Sequence, residues 1–446
     1  MRCEVKYASA GFYNENIRNV FWIAGRTEMF IKTREYQELF LEALRAGICG
    51  QRVAWKERSV QEWSGVFALA DMHHVLPLVY EAVAECRAAA LADRVMFAKV
   101  REKSLRLMAL QRTMTEEFLE LYAHLQQMGV KPLAVKGIVC RSLYPNPDAR
   151  LSADEDLLIP KEQFETCQEA MLLYGMQQLN PETGTENYET AYKKTGGFLV
   201  IELHRMLFPE NEKWCIGWNG FFDEIHKQAI ERETEGVKIN MPQPTDHLFF
   251  QFCHARKHLL ASGVGIRQIC DILLFAEHYE KEIDREIFWD RIRMTDGILF
   301  AEAIFRLGVQ YLGFKEKQFY FPEGVNSMKL DTERLMEDIL HSGIHGKGTR
   351  SRLHSGTLTL HAAEKRGLSG IFPGLFYMAF PPVKNLLRRF PYLKKHPYLL
   401  PFAWGQRLCG YLREGPVLGS VKEIVKTGRK RKEILREYGI FGEKRR

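Results

Sequence analysis

Three short runs of strand-forming residues interrupt a chain that otherwise repeats its apolar residues at helix spacing. They are Pro132-Leu133-Ala134-Val135, Asp154-Glu155-Asp156-Leu157-Leu158-Ile159 and Phe198-Leu199-Val200-Ile201-Glu202-Leu203-His204. Apolar runs of about four to eight residues, bounded by Gly, Pro or polar clusters, are too short for helices and suit strands. On both sides the period is helical. Leu39, Phe40, Ala43 and Leu44 form one apolar face, Phe67, Leu69, Leu76, Val79 and Tyr80 another, and Phe97 to Gln127 a long amphipathic stretch stopped at Gly129. The pattern predicts an α+β protein, mainly helical, around a small mixed sheet. It divides the chain into a poorly defined extension (1–35), a helical region (36–128), the sheet-bearing core (129–240), a second helical region (241–345), a Pro/aromatic/basic region (346–420) and a basic tail (421–446). Residues 1–28 show no periodicity, and Met29 opens a stretch that does, which makes it a candidate start.

The 446 residues carry a net charge of +7, of which the ten basic and four acidic residues of 421–446 supply +6. The body is therefore close to neutral. That argues against a sequence-specific nucleic-acid binder, which needs a basic face on the folded domain. The tail reads as charged and frayed, able to touch phosphate or anionic lipid. Nine scattered cysteines without a C-x-x-C indicate neither a disulfide framework nor a cysteine zinc site. A reducing cytoplasm is the simplest reading. A run of about 18 apolar residues, the length needed to span a bilayer, does not occur.

The chemistry concentrates in the strand-type runs. Side chains alternate across a strand, so Asp154 and Asp156 project from one face, about 7 Å apart along the chain. Bare carboxylates that close repel unless a cation lies between them. Mg²⁺, or Mn²⁺, is the natural choice, with nucleotide phosphates completing the coordination. Glu202 is a charged residue inside an apolar run, and it shares a face with Val200 and His204. Either that face is solvated, or the strand lies beside 154–159 and Glu202 becomes the third carboxylate. Three such acids can hold two divalent ions in the arrangement for in-line phosphoryl transfer. Lys136-Gly137 stands between a strand and a helix, where backbone N–H groups favour anions and Gly permits close approach. Lys136, Arg141 and Arg150 add positive charge as phosphate candidates.

Taken in chain order, the segment LAVKGIVCRSLYPNPDARLSADEDLLIP followed by FLVIELH resembles the uncharacterised nucleotidyltransferase family of the DNA polymerase beta-like superfamily. The Lys-Gly turn matches Lys136-Gly137. The Tyr-Pro…Arg…Asp-x-Asp run matches Tyr144-Pro145, Arg150, Asp154 and Asp156, and the Glu-Leu-His strand matches Glu202-Leu203-His204. His254 and His258, with Arg267 and Asp271 beyond, also look similar, and the resemblance extends loosely over 36–412. It departs from the broader superfamily in having Lys-Gly rather than Gly-Ser or Gly-Gly at the turn. The resemblance implies a nucleotidyltransferase core that moves a nucleoside monophosphate from an NTP to a hydroxyl of a small molecule, sugar or protein. Asp154, Asp156 and Glu202 would be catalytic and metal-binding; Lys136, Gly137, Arg141 and Arg150 would bind the nucleotide.

Two alternatives stand beside it. One is a transferase fold that binds nucleotide or a partner without turnover. The other is an interaction protein at a membrane or polysaccharide-assembly site, suggested by the mixture of Pro, aromatic, Lys and Arg residues in 370–412 and by the basic tail. That region reads equally as a Pro-punctuated cap packed on the core. His254 and His258 have a zinc-compatible spacing, but HARKH lacks the glutamate of H-E-x-x-H and a third ligand. Core or acceptor-pocket histidines fit better.

Overall fold

The computed structural model describes residues 34–440 apart from 87–92, 180–187, 211, 262, 320, 322–329, 344–379, 388 and 414–416. Residues 1–33 of the extension with the candidate start at Met29, residues 344–379 of the Pro/aromatic/basic region and the last six residues of the tail lie outside them. Among the described residues four helices come first: α1 (Arg34–Ile48), α2 (Val60–Met72), α3 (Leu76–Val83) and α4 (Arg94–Gln127). Their starts are written locally. Ser59 and Glu62 form a reciprocal capping box on α2, with the Glu62 N–H donating to Ser59 Oγ and the Ser59 N–H donating to Glu62 Oε2. Asp93 caps α4 by accepting from the Met96 N–H.

Seven strands follow, with helices between them. They are β1 (Leu133–Ala134), α5 (Gly137–Arg141), β2 (Glu155–Leu158), α6 (Phe164–Leu173), β3 (Met176–Gln178), β4 (Glu189–Lys194), β5 (Val200–His204), β6 (Ile230–Thr234) and β7 (Val237–Met241). Among the described residues the strands form one sheet, with the order β3-β4-β5-β2-β1-β7-β6. It is mixed: β2 runs parallel to β5 and β1 parallel to β7, and the remaining pairs are antiparallel. The α+β expectation holds, and all three strand-type runs are strands. The β6–β7 hairpin and short β3 were not anticipated. Ile230–Thr234 is mostly exposed at the sheet edge and so lacks the apolar run that marks a buried strand. Its turn, Glu235-Gly236, has positive φ at both residues, the geometry of a tight hairpin.

Tyr122 ties α4 to this sheet. Its buried hydroxyl donates to the Pro132 carbonyl (2.6 Å) and accepts from the Asn240 N–H (2.9 Å), bridging the approaches to β1 and β7. Tyr122→Phe strands both backbone groups and is expected to cost about 1–3 kcal/mol, read as a lower urea midpoint. An unchanged midpoint would show that the bridge contributes nothing.

After the sheet come α7 (Pro244–Ala261), α8 (Ile266–His278), α9 (Arg285–Met294), α10 (Ile298–Tyr311) and α11 (Thr332–Ser342). One continuous apolar cluster joins the N-terminal helices, the sheet and these helices. Short 3₁₀ turns at Pro391–Lys394 and Pro397–Leu399 lead into α12 (Leu400–Arg413), around a separate small cluster of Leu386, Leu393 and Ala403. The frayed tail needs correcting: Val417–Glu437 is a helix, α13. Ile434, Leu435 and Tyr438 recur at helix spacing among the basic residues and are buried in the main cluster. Arg431, also buried, donates to the Leu259 carbonyl near the end of α7. Among the described residues, no helix is long and apolar enough to cross a membrane, and the cysteines are free thiols.

Candidate active site

β2 and β5 lie side by side at the centre of the sheet, and every residue of both is buried. Their parallel register puts Asp156 opposite Glu202 and Leu158 opposite His204. Alternation then gathers Asp156, Glu202 and His204 on one face. One ligand atom from each of the three lies within 4.8 Å of the other two. Asp156 Oδ1 is 2.8 Å from His204 Nε2, and Glu202 Oε2 is 3.8 Å from the same nitrogen. The solvated outer face considered for β5 is therefore not what forms: Val200, Glu202 and His204 are all buried, Glu202 being only 9% exposed.

Lys136 enters this group from the turn after β1. Its Nζ is 2.6 Å from Asp156 Oδ2 and 3.2 Å from His254 Nε2 on α7. Burial by itself would lower the lysine pKa, but the charges of Asp156, Asp154 and Glu202 raise it above its ordinary value. The same physics works in reverse on Asp156. Burial would raise its carboxyl, yet the Lys136 ammonium and the His204 hydrogen bond hold it well below the usual carboxylate range. A positive charge thus already stands among the acids. Beyond it, His258 Nε2 is 3.3 Å from His254 Nε2, and Lys257 Nζ donates to Tyr188 Oη at 3.1 Å. The two histidines anticipated as core or acceptor-pocket groups line the continuation of this polar cluster.

Asp154 is placed differently from Asp156. It precedes β2, is half-buried, and stands outside the three-residue ligand group, although its charge acts on Lys136 and on Arg267 of α8. Of the trio of Asp154, Asp156 and Glu202 anticipated from the sequence, Asp154 stands just before β2, and Asp156 and Glu202 share their face with His204. The signal for it was local, since His204 follows Glu202 by two residues and shares its face.

The residue between the two aspartates faces the other way and has a different role. Glu155 is 3% exposed, accepts from the Ile138 N–H at 2.7 Å, and pairs with Arg141. Arg141 also donates to Thr115 Oγ1 at 2.9 Å. Gly137 has φ +42°, and a Cβ there would collide with the Glu155 carboxylate. The turn expected to receive a phosphate is thus filled by the protein's own anion, and the glycine is required for that approach. Arg150 is likewise engaged, with Nη2 2.6 Å from Asp271 Oδ2 and Nε 3.2 Å from Oδ1, while Tyr144 Oη donates to Oδ1 at 2.8 Å. Burial would raise the Asp271 carboxyl, but Arg150 holds it below its ordinary value.

The donor set suits a divalent cation. It comprises two buried carboxylates from adjacent strands and an imidazole nitrogen, converging on one point of a polar face. Comparison with known proteins agrees with this chemistry. A family model described as uncharacterised nucleotidyltransferase matches residues 59–313, more than half of the chain. The match includes every strand of the sheet and both β2 and β5. No curated protein and no solved structure matches the chain.

Proposed function

The chain belongs to the uncharacterised nucleotidyltransferase family, and from that premise we propose that it moves a nucleoside monophosphate from an NTP to a hydroxyl of an acceptor. The observation that carries this reading is the direct opposition of Asp156 and Glu202 on neighbouring buried strands. Mg²⁺ or Mn²⁺ would be held by these two carboxylates with Asp154 at the rim. Such an ion supplies charge stabilisation to the phosphoryl oxygens and makes an acceptor hydroxyl easier to deprotonate. The protein's own groups do the rest. Lys136 lends its ammonium to the triphosphate, being already within 2.6 Å of Asp156 and partly accessible. Gly137 admits Glu155, which anchors the turn that carries Lys136. Arg141 and Arg150 act in this reading through the buried pairs that fix β2 and α8, rather than on the nucleotide. Holding both reactants in one orientation removes much of the entropic barrier of a bimolecular step.

One observation favours a second reading, nucleotide binding without turnover: Lys136 and His204 already neutralise Asp156. Incubation with NTP labelled at the α-phosphate, Mg²⁺ or Mn²⁺ and a cell extract separates the two. The expected result is label in an acceptor together with released pyrophosphate. Saturable binding without any transferred label would favour the second reading, and neither binding nor transfer would overturn both.

A further inference from the structure

His204 is the one member of the ligand group that neither a pair of aspartates nor the anticipated carboxylate trio supplies. Its two ring nitrogens face different partners. Nε2 faces Asp156 Oδ1 at 2.8 Å and Glu202 Oε2 at 3.8 Å, while Nδ1 lies 3.9 Å from Glu189 Oε2. Glu189 is not there by accident of a flexible side chain. It stands directly opposite His204 in the antiparallel β4–β5 ladder, and its side chain is 13% exposed. A carboxylate behind a ligating histidine sets the tautomer, leaving the proton on the nitrogen that faces it and the lone pair on the other. Nε2 carries the proton of its hydrogen bond to Asp156 Oδ1; with a cation on Nε2 that proton would sit on Nδ1, toward Glu189 Oε2 at 3.9 Å, a carboxylate placed behind the imidazole but beyond hydrogen-bond distance.

We infer that His204 is a metal ligand oriented by Glu189, and that it biases the site toward a first-row transition ion such as Mn²⁺ over Mg²⁺. The physical reason is ligand hardness. Mg²⁺ takes oxygen donors and sheds water reluctantly, whereas transition ions accept an imidazole nitrogen readily. This rests on the reading of Asp156 and Glu202 as cation-binding groups and goes beyond it in assigning a nitrogen ligand, the acid behind it and the preferred ion.

The test is direct binding of Mn²⁺ alone to the full chain, followed by electron paramagnetic resonance of the free ion, with Mg²⁺ measured by competition. Carboxylates by themselves also take Mn²⁺ somewhat more tightly than Mg²⁺, so the ratio of the two affinities and its loss are what count. The wild-type chain is expected to prefer Mn²⁺ by about tenfold or more. Glu189→Gln should weaken Mn²⁺ about tenfold, within the range known for groups that orient a ligand, and His204→Ala, which removes the ligand itself, by about 100-fold. Mg²⁺ affinity should change little in either variant. Thermal melts in chelator establish that the variants are folded; if His204→Ala is not, Glu189→Gln decides by itself. An unchanged Mn²⁺ to Mg²⁺ ratio in the folded variants overturns the inference. If both ions bind, are lost in Asp156→Asn and are indifferent to His204, only this inference fails. If the wild-type chain binds neither ion, the parent reading fails with it.

Discussion

Glu155→Ala is expected to cost about 3–5 kcal/mol of folding stability, the cost of breaking a buried ion pair by removing one member. Arg141 is 1% exposed and would keep its charge with only Thr115 Oγ1 as a neutral partner. The Ile138 N–H would lose its acceptor as well. Chemical denaturation reads the effect as a lower midpoint at constant slope. Two comparisons make the result specific. Asp154→Ala removes a neighbouring acid that is half-buried, and it is expected to cost about 1 kcal/mol or less. Replacing Glu155 and Arg141 together by Leu and Met removes both charges and should recover much of the loss. If Glu155→Ala costs no more than Asp154→Ala, the pair does not hold the turn and the account of Gly137 falls with it.

Asp156→Asn is expected to leave the fold intact and to reduce nucleotidyl transfer about a thousandfold or more. Asparagine keeps the shape of the side chain but has a single acceptor oxygen, so it keeps only one of the two contacts, to Lys136 or to His204. It loses the charge that would hold a cation, which is worth several kcal/mol in the transition state, and each 1.36 kcal/mol is about tenfold in rate. Initial rates of label transfer, read beside a thermal melt, separate loss of chemistry from loss of fold. Transfer within about tenfold of wild type in a folded Asp156→Asn would exclude this carboxylate from the machinery.

These two predictions concern adjacent residues with opposite expected outcomes, and the difference shows where reading the chain stops. Asp154, Glu155 and Asp156 look alike as a run of acids. Period-2 alternation separates Glu155 from its neighbours, and it also places His204 on the face of Glu202. It does not reveal that Arg141 and the Ile138 N–H wait for Glu155, because those partners come from α5, across the turn. Arg141 and Arg150 read as phosphate ligands for the same reason: an arginine at a helix end or in a loop carries no local mark of the acid it will meet. Arg150 meets Asp271 from a helix more than a hundred residues away, at a sequence separation of 121. The basic tail was misread for a related reason. Its charge is visible at once, while the burial of Ile434, Leu435 and Tyr438 depends on a core that other helices build.

What the chain determined locally is the helical stretches before the tail, the strands β1, β2 and β5 in their order, and the faces on which Glu202 and His204 stand, because strand and helix periods are properties of neighbouring residues. That β5 lies parallel beside β2, with Asp156 opposite Glu202 and Glu189 opposite His204, was decided only by the assembled sheet. Register comes from packing both faces of two central strands at once, and a shift of one residue would have turned the same side chains away from each other.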